Sequence, residues 1–593
     1  MKKAIFKLLP AASIFLLASC GANKEGDTPT EPRICELNAI TKLHVRDFGA
    51  GPTSENIFQA LEDAMAAAKA ADGPVEILFK PDAVYRITLP NAAELKETGT
   101  CFADQYAWHI KNATNLVING QGATLLVTDA EIGGICMEDS CQIELKNFEI
   151  DYDPLPYAQG TIATVNLEEY WFELKLDDGF PEPDMPNFKR AGNAHGNWGL
   201  TIRDEPGGRR RYGPIPVFAE SWEKTGEHLW RFHPPEIGEG HNVQNTPLEA
   251  SGLKPGDRYV HMARNWSQAI AGINCDRVLW EGITIHAAPG LAFYPRGTSH
   301  HTIRDCHIKL KEGRIFSTTS DGIHMRGSRG HMLVEDCSFE GMGDDGINVH
   351  SSALSVVETP APNQIVVRKH TFSVRPGDEL VQVRSDSATI LGKAKVKEVQ
   401  DQGGTWLITL DRGLPDVAAG EGFNSSDNFY NLSEAATPFV IRNCHFKDYR
   451  GRGILISAHG GVIENNLFEM PEGWGVVLLY ESVRWAEGPM ANNLLIRNNE
   501  FRATAKQHHS AICSHIITRG GATVVTRPFR DILIENNRFY DYAKPVVELE
   551  AVNGITLRNN QVFTPADVSL KYTPVILENC ENVATDKLEV NNL

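Results

Sequence analysis

The hexapeptides IRNCHF (441–446) and IENNLF (463–468) share one pattern: apolar, charged, polar, polar, any residue, apolar. Five further segments repeat it: IRDCHI (303–308), VEDCSF (334–339), IRNNEF (496–501), IENNRF (534–539) and LRNNQV (557–562). A short strand that recurs with Asn or Cys at a fixed bend is typical of a coiled β solenoid. The first two hexapeptides begin 22 positions apart. That coil length predicts a right-handed parallel β-helix, and seven matching hexapeptides disfavour an ordinary β sandwich.

The N-terminal part of the chain fits the same fold. LHVRDFGAGPTSENIFQALEDAMAAAKA (43–70) predicts a strand, a glycine-rich bend and a helix. Ser54 is a candidate N-cap of that helix. Its apolar face is formed by Ile57, Leu61, Ala64 and Met65. We expect this helix to close the open end of the β-helix, which otherwise exposes core and unpaired strand edges.

Two long stretches interrupt the repeat. Residues 155–265 are rich in Pro, Trp and charge, and residues 352–436 contain alternating strands such as NQIVVRKHTFSV. Both contain Pro-Gly-Asp before an alternating strand, which predicts two small inserted antiparallel β-barrels that wall a cleft. The predicted layout assigns coils to 40–154, 266–351 and 437–593 and barrels to 155–265 and 352–436. The second barrel should overhang residues 344 and 345.

The N-terminus predicts export. MKKAIFKLLPAASIFLLASC has a basic start and an apolar stretch too short to span a membrane. Residues 1–19 are therefore interpreted as a signal peptide. Leu-Ala-Ser before Cys20 resembles a bacterial lipobox, which predicts lipidation of Cys20, a flexible tether over 20–39 and a lipoprotein of the cell envelope, at the outer membrane surface or in the periplasm. A plain signal peptide cleaved nearby is the alternative.

Composition and cysteines exclude several classes of function. A net charge of −19 disfavours nucleic acid as a partner, because phosphate binding needs a basic face. No Cys/His spacing suggests zinc. Three cysteines sit in the repeated hexapeptide, which predicts stacked core residues rather than disulfides: Cys306, Cys337 and Cys444. Two pairings stay open at this stage: Cys136 with Cys141, and Cys35 with Cys101.

Glycines align four segments of neighbouring coils: SDGIHM (320–325), DDGINV (344–349), GRGILI (451–456) and GWGVVL (473–478). The alignment predicts one column of side chains: Asp321, Asp345, Arg452 and Trp474. Because parallel strands lie about 4.8 Å apart, Asp321 and Asp345 should be near neighbours. Asp344 lies one position before the column. A bend at Gly346 is expected to let both adjacent aspartates face one cleft.

Three crowded carboxylates predict acid–base chemistry. Like charges should keep a proton on one group while another stays ionised, as general acid/base catalysis requires. Substrate contacts are predicted for the flanking residues His324, Arg326, Asn348, His350, Arg452 and Trp474. A solvated Asp-Gly turn and a calcium site are the alternatives.

These motifs resemble those of pectin-hydrolase β-helices, which carry one Asp on a coil and an Asp-Asp pair on the next. Over residues 40–590 the chain more closely resembles glycoside hydrolase family 110, the bacterial α-1,3-galactosidases that act on blood group B antigens. The resemblance rests on HVRDFGA (44–50), TTSDGIHMRG (318–327), GDDGINVHSS (343–352) and the two insertions.

This resemblance implies an exo-acting, inverting and metal-independent α-galactosidase that needs no cofactor. Asp344 would be the general acid, and Asp321 with Asp345 would activate the water, so the resemblance implies a protonated Asp344 and an ionised Asp345. The implied partner is an oligosaccharide or glycoconjugate with terminal α-1,3-linked galactose. One subgroup of the family takes only branched antigens and another also takes linear α-1,3-galactosides. Strand spacing alone does not choose between inversion and retention.

A pectin-type hydrolase or lyase is a weaker hypothesis. A uronate substrate would favour paired basic residues after the catalytic coils, and GRGILIS offers Arg452 without a lysine. A surface β-helix that binds glycans without cleaving them is the non-enzymatic alternative.

Overall fold

The repeated hexapeptides form the bends of a parallel β-helix in the computed structural model. The third residue of each hexapeptide has a φ between 51° and 58°: Asp305, Asp336, Asn443, Asn465, Asn498, Asn536 and Asn559. Asn and Asp tolerate this left-handed conformation better than most other residues. The turn directs the fourth residue into the core, so the prediction of a parallel β-helix is confirmed.

The structure describes residues 37–38, 41–92, 94, 105–191, 197–213, 215–235, 248–369, 374–422, 425–470, 473–503, 509–518, 524–542, 544–564, 572–586 and 588–592. All of them belong to one unit, Pro32–Leu593. The predicted signal peptide, Cys20, Cys35 and Cys101 lie outside the described residues. In the described part of the chain, no helix has both the length and the apolar character needed to cross a membrane.

Parallel strands stack in three rows. The first row comprises Tyr106–Lys111, Gly133–Glu138, Ile270–Ile273, Phe293–Arg296, Ile323–Arg326, Ile347–Ser352, Ile454–Ser457, Val476–Glu481, Ile512–Ile517, Val547–Glu550 and Val575–Glu578, with Glu487–Gly488 antiparallel to it. The second comprises Thr41–His44, Val75–Leu78, Asp276–Glu281, Ser299–Arg304, Arg329–Glu335, Phe439–Arg442, His459–Glu464, Asn492–Arg497, Phe529–Glu535, Val552–Arg558 and Glu581–Thr585.

The third row comprises Val84–Ile87, Thr284–Ile285, His307–Ile308, Ser338–Glu340, His445–Lys447, Leu467–Glu469, Glu500–Arg502, Arg538–Tyr540, Gln561–Thr564 and Glu589–Asn592. Two long strands, Thr114–Val127 and Cys141–Tyr152, run through both the second and the third row. The site face of the β-helix is the first row.

Identical side chains stack in the core. The Nδ2 of Asn466 donates to Oδ1 of Asn499 at 3.0 Å, and Asn499 and Asn537 repeat the contact toward Asn537 and Asn560 at 3.1 and 3.0 Å. The cysteines at the same position of earlier coils are buried and free, as predicted: Cys306, Cys337 and Cys444. Cys136 and Cys141 are also free, so their proposed pairing is wrong.

Charges alternate along the outside of the second row. One residue per coil lies in register with the next: Lys146, Glu281, Arg304, Glu335, Arg442, Glu464, Arg497, Glu535 and Arg558. We call this set the charge ladder. Neighbours form ion pairs, such as Arg442 with Glu335 at 2.7 Å and Arg497 with Glu464 at 2.7 Å. Each charge therefore faces opposite charges on the adjacent coils.

The N-terminal helix, Phe58–Ala70, packs its buried residues Leu61, Ala64 and Met65 into the main core, as expected. The capping prediction is wrong. The N-cap is Ile57 and makes no side-chain capping bond, while the Ser54 hydroxyl accepts from the backbone N–H of Gly51 at 3.2 Å. Ser54 therefore stabilises the glycine-rich bend before the helix. A second short helix spans Pro186–Arg190, and 3₁₀ turns span Val45–Phe48, Pro206–Gly208, Leu248–Ser251 and Leu432–Glu434.

The two insertions differ from each other. The second is a closed antiparallel barrel of Leu354–Ala361, Gln364–Arg368, Glu379–Arg384, Thr389–Asp401, Thr405–Leu410 and Asn428–Asn431. The first is an antiparallel sheet of Tyr157–Asn166, Trp171–Leu176, Asn197–Glu205, Arg209–Tyr212, Val217–Phe218, Ser221–Gly226, Leu229–His233 and Arg258–Ala263. Within the described residues its end strands, Arg209–Tyr212 and Ser221–Gly226, do not pair with each other, so the expected first barrel is an open sheet.

Candidate active site

Three aspartates meet just before the first-row strands. Strand pairing aligns Ile323 with Ile347 and Ile347 with Ile454, so Asp321, Asp345 and Arg452 occupy the predicted column. One oxygen each of Asp321, Asp344 and Asp345 lies within 4.8 Å of the others. They line a cavity of about 720 Å³. Asp345 is 2% exposed and Asp321 5%, whereas the Asp344 side chain is 20% exposed.

The glycines of these coils are needed for space. The chain bends at Gly346 and both adjacent aspartates line one cavity, as expected, although Gly346 does not have a positive φ. A Cβ at Gly346 would lie 2.5 Å from the carbonyl oxygen of Gly453 and 2.7 Å from the ring of Phe446. Gly322 is crowded in the same way by Phe339. Phe339, Phe446 and Phe468 stack with centroids 4.6–4.8 Å apart, and the glycines leave room for this stack.

Two arginines hold Asp344. Arg264 donates to its Oδ2 at 3.1 Å and Arg450 to its Oδ1 at 3.2 Å. Both guanidinium groups lie over the ring of Trp198, at 5.7 and 5.2 Å from its centroid. Trp198 belongs to the first inserted sheet, which thereby supports the two arginines that bind Asp344.

Asp345 is bound by a single arginine in a two-pronged contact. The Nε and Nη2 of Arg452 donate to its two oxygens at 2.7 and 2.6 Å, and the backbone N–H of Arg452 adds a bond of 2.9 Å. Burial and the charges of Asp344 and Asp321 nevertheless raise the pKa of Asp345 to about 6. A group that titrates there can exchange a proton near neutral pH.

The expected order of the two adjacent carboxyls is wrong for the substrate-free protein. Burial would raise the pKa of Asp344, but the positive charges of Arg450 and Arg264 overcome it and hold that pKa below its ordinary value. Asp344 is therefore ionised, and Asp345 is the aspartate of this pair whose pKa is raised. No sequence motif indicates this contact, because Arg264 lies 80 positions before Asp344, at the exit of the first insertion.

A pair of histidines buttresses Asp321. His324 contacts Oδ2 of Asp321 through Nδ1 at 2.6 Å, and His350 donates from Nδ1 to the carbonyl of Ser351 at 3.0 Å. The two Nε2 atoms lie 2.8 Å apart. With Asp321 ionised, both Nδ1 atoms are donors, so the Nε2 atoms can bond only if one ring carries a second proton.

That proton belongs to His324. Burial opposes it, but the hydrogen bond and charge of Asp321 raise the pKa of His324. Burial, with the charges of His324 and Arg326, lowers the pKa of His350 well below its ordinary value. Both nitrogens of His324 are thus engaged by protein groups, and none is left for a sugar hydroxyl.

The structure brings most of the predicted binding residues into the cavity. Five line it: His324, Arg326, Asn348, His350 and Arg452. Trp474 keeps its column position but is not among the lining residues; its ring stacks on His509 at 3.5 Å. The Nδ2 of Asn348 donates to Glu487 at 3.3 Å, and its buried Oδ1 has no partner among the described residues. That oxygen is an acceptor placed for a ligand hydroxyl.

Six residues of the site were missed by the sequence prediction: Arg264, Trp266, Arg450, Glu481, Trp485 and Glu487. They belong to no repeated motif. The second barrel does not overhang the aspartates as expected, since its strands contribute none of the cavity-lining residues. It instead supports the loop after the strand Val476–Glu481, where the Ser482 hydroxyl donates to the carbonyl of Ser385 at 2.6 Å.

Two clusters of the described residues contain three side chains of metal-binding type: His324, His350 and Glu487, and the three aspartates. In the second cluster every carboxylate is already paired with an arginine or a histidine. A calcium ion would have to compete with those cations for the same oxygens. The arrangement fits internal ion pairing and proton exchange without requiring a cation.

Comparisons with known proteins agree with the fold and find relatives over nearly the whole chain. The family model "Right handed beta helix region" matches residues 433–580. The chain is 26% identical to "Alpha-1,3-galactosidase B" of Bacteroides thetaiotaomicron, over 92% of this chain and 91% of that protein. It is 24% identical to "Alpha-1,3-galactosidase A" of Shewanella woodyi, with the same two coverages. The match to a solved exopolygalacturonase from Thermotoga maritima covers 93% of this chain and 93% of that one, at 13% identity and a TM-score of 0.43.

Proposed function

Proceeding from its relationship to the α-1,3-galactosidases over nearly the whole chain, we propose that this protein is a glycoside hydrolase that releases terminal α-1,3-linked galactose from oligosaccharides. The observation that carries the proposal is the cluster of three carboxylates within 4.8 Å in one cavity. Such a cluster can hold one proton for the leaving oxygen and one negative charge for the attacking water.

The charge balance of the cavity supports a neutral sugar. Its lining contains six cations and five acids, so its charges nearly balance: Arg264, Arg296, Arg326, Arg452, Arg484 and the protonated His324 against Asp321, Asp344, Asp345, Glu481 and Glu487. A uronate-binding site needs an excess of positive charge for the substrate carboxylate. The balance therefore disfavours the pectin-type alternative.

The roles implied by the family resemblance need one rearrangement. Asp344, the implied acid, is ionised in the free protein. Its contacts to Arg264 and Arg450, at 3.1 and 3.2 Å, are longer than those of Asp345 to Arg452, at 2.6–2.9 Å. The longer contacts are the weaker ones. We propose that an incoming glycosidic oxygen displaces a guanidinium from Asp344. The proton held near Asp345 then passes to Asp344, which can donate it to the leaving oxygen.

Leaving-group dependence tests these roles. Asp344→Asn, Asp321→Asn and Asp345→Asn are compared on an α-1,3-galactosyl disaccharide and on α-galactosyl fluoride, whose departure needs little protonation. If Asp344 is the acid, its variant loses the disaccharide reaction but keeps most of the fluoride reaction, and the other two lose both. If instead Asp345→Asn keeps most of the fluoride reaction and Asp344→Asn loses both reactions, Asp345 is the acid. Near wild-type rates for all three would refute the proposed site.

Stereochemistry and substrate range are tested on the same protein. Proton NMR of the first-formed galactose shows the β anomer if the enzyme inverts. Relatives named A and B both match this chain, so a direct comparison of a branched blood group B trisaccharide with a linear α-1,3-galactoside is needed. We propose the blood group B antigen as the physiological substrate class. Binding without any released sugar would favour the non-enzymatic alternative.

We further propose that the protein acts at the cell envelope, anchored by a lipid on Cys20. Cys20→Ser should move the protein from the membrane fraction to the soluble fraction. Metabolic labelling with a palmitate analogue should mark the wild-type chain alone. Labelling of the serine variant would contradict the assignment.

A further inference from the structure

Exposed apolar side chains are concentrated at the mouth of the catalytic cavity. Among the described residues, eight large apolar side chains are strongly exposed, and four of these line this one cavity: Trp266, Val483, Trp485 and Ile517. Trp266 is 53% exposed and Trp485 is 51% exposed, and their rings meet edge to face with centroids 6.2 Å apart. Clustered exposed apolar groups commonly mark a binding surface.

The loop that carries Trp485 is fixed by one buried carboxylate. Glu481, which is 5% exposed, accepts hydrogen bonds from four successive backbone N–H groups, those of Val483, Arg484, Trp485 and Ala486. Arg484 lies over one face of Trp485 at 4.5 Å from its centroid. These contacts fix the loop, so the exposed position of the Trp485 ring is set by the structure of the loop.

The segment that carries Trp266 is fixed in a similar way. The side chains of Asn265 and Ser267 both donate to the carbonyl of Glu131, at 3.0 and 2.8 Å. Asn265 also accepts from the backbone N–H of Ser267 at 2.8 Å. Two rigid supports, 219 positions apart in sequence, thus present two indole rings to the same opening.

The position of Trp266 relates the rings to the reaction. Arg264, two residues earlier, contacts Asp344, which the proposed mechanism places beside the leaving oxygen. Asp344, Trp266 and Trp485 line the same cavity, so a sugar on the leaving-group side of the scissile bond can reach the rings. Sugar rings present an apolar C–H face that packs on aromatic faces, and indole offers the largest such surface of any side chain.

We propose that Trp266 and Trp485 form a binding platform for the sugar that bears the terminal galactose, and that the platform makes the protein select oligosaccharides over simple galactosides. This inference rests on the proposed galactosidase function. The ligand it assigns to the platform is a neutral pyranose on the leaving-group side, held by stacking and bordered by Val483 and Ile517.

The kinetic test compares two substrates with the same galactose. For wild type, Trp266→Ala and Trp485→Ala, kcat/KM is measured on an α-1,3-galactosyl disaccharide and on α-galactosyl fluoride, which lacks the second sugar. Each Trp variant should lower the ratio of kcat/KM for the disaccharide to kcat/KM for the fluoride by about 10-fold. The phenylalanine variants should restore part of the ratio. Leu167→Ala removes an equally exposed apolar side chain outside the cavity and should leave the ratio unchanged.

A binding measurement separates this inference from the proposed function. Calorimetry with full-length Asp345→Asn compares the affinity for the disaccharide with that for galactose, with and without Trp266→Ala or Trp485→Ala. The platform predicts that the Trp variants weaken disaccharide binding by about 10-fold and galactose binding far less. If the wild type does not hydrolyse the disaccharide, the proposed function is refuted, but the binding comparison still tests the platform. Equal weakening for both sugars, or an unchanged kinetic ratio, would overturn the platform.

Discussion

The charge ladder of the second row and the aspartate column of the first row are built by the same coils, yet they follow opposite rules. In the charge ladder, sign alternates at every step from Lys146 to Arg558. In the column, Asp321 and Asp345 follow one another with Asp344 beside them. Parallel strands bring both sets to the same spacing, about 4.8 Å. The alternating charges of the ladder stabilise the fold, whereas the like charges of the aspartates repel one another.

The difference shows where function departs from the stabilising pattern. Like charges at strand spacing are destabilising, while opposite charges contribute modestly. The protein compensates the aspartates with Arg452, the next member of the column, and with Arg264 and Arg450 from outside it. Burial, together with the charges of Asp344 and Asp321, raises the pKa of Asp345 to about 6.

The largest effect should come from Asp345→Asn, which removes one charge from the column. We expect a loss of about 1,000-fold in kcat with little change in the melting temperature, since the amide keeps the size and one acceptor oxygen. Steady-state kinetics and calorimetry on one preparation check both parts. A large loss of stability together with activity would mean that the column is structural.

The next effect should come from reversing one charge of the ladder. Glu464→Lys would place three positive charges in succession, with Arg442 and Arg497 as neighbours. The Arg497–Glu464 ion pair and the attraction between Glu464 and the in-register Arg442 both become repulsions, so we expect a loss of about 1–2 kcal/mol in the free energy of unfolding and an unchanged kcat. Glu464→Gln, which removes charge without reversing it, should lose about half as much. Equal losses for the two variants would argue against alternation as the stabilising feature.

A smaller effect concerns the pH dependence of the column. Arg452 lowers the pKa of Asp345 against burial and the two neighbouring carboxylates. Arg452→Gln should therefore raise that pKa above about 6 and move the alkaline limb of the kcat/KM profile to higher pH, because the proton is retained longer. Arg452→Lys keeps the charge and should move the limb less. A limb that stays fixed in both variants would show that it belongs to another group.

The smallest effect should come from His324→Gln. Asp321 raises the pKa of His324, so its protonation stabilises the fold fully below the unfolded-state pKa near 6.5 and less as pH rises through the folded-state value. The variant should therefore lose melting temperature at pH 5.5 and lose less at pH 8.5. Calorimetry at the two pH values measures the difference, and a deficit that grows with pH would contradict it.

Much of the fold was predictable because it depends on short-range backbone preferences. Asn498 and Asn536 adopt positive φ, and the following Asn499 and Asn537 turn inward, as a repeated Asn-Asn pair favours. The column of Asp321, Asp345 and Arg452 was predictable for the same reason, because coils of constant length keep aligned residues in register. Ser54 was misplaced because capping depends on where a helix begins, and the helix begins four residues later.

The sequence by itself determined the repeat, the register and the identity of the three aspartates, since each follows from local patterns counted along one chain. Only the tertiary structure decided their protonation. Arg264 and Arg450 reach Asp344 across 80 and 106 positions, and Trp198 supports both from an inserted sheet. It also decided the mouth of the cavity, where Trp266 and Trp485 meet from separate loops. Electrostatic and packing interactions depend on distance in space, and no short sequence pattern encodes a distance across independent loops.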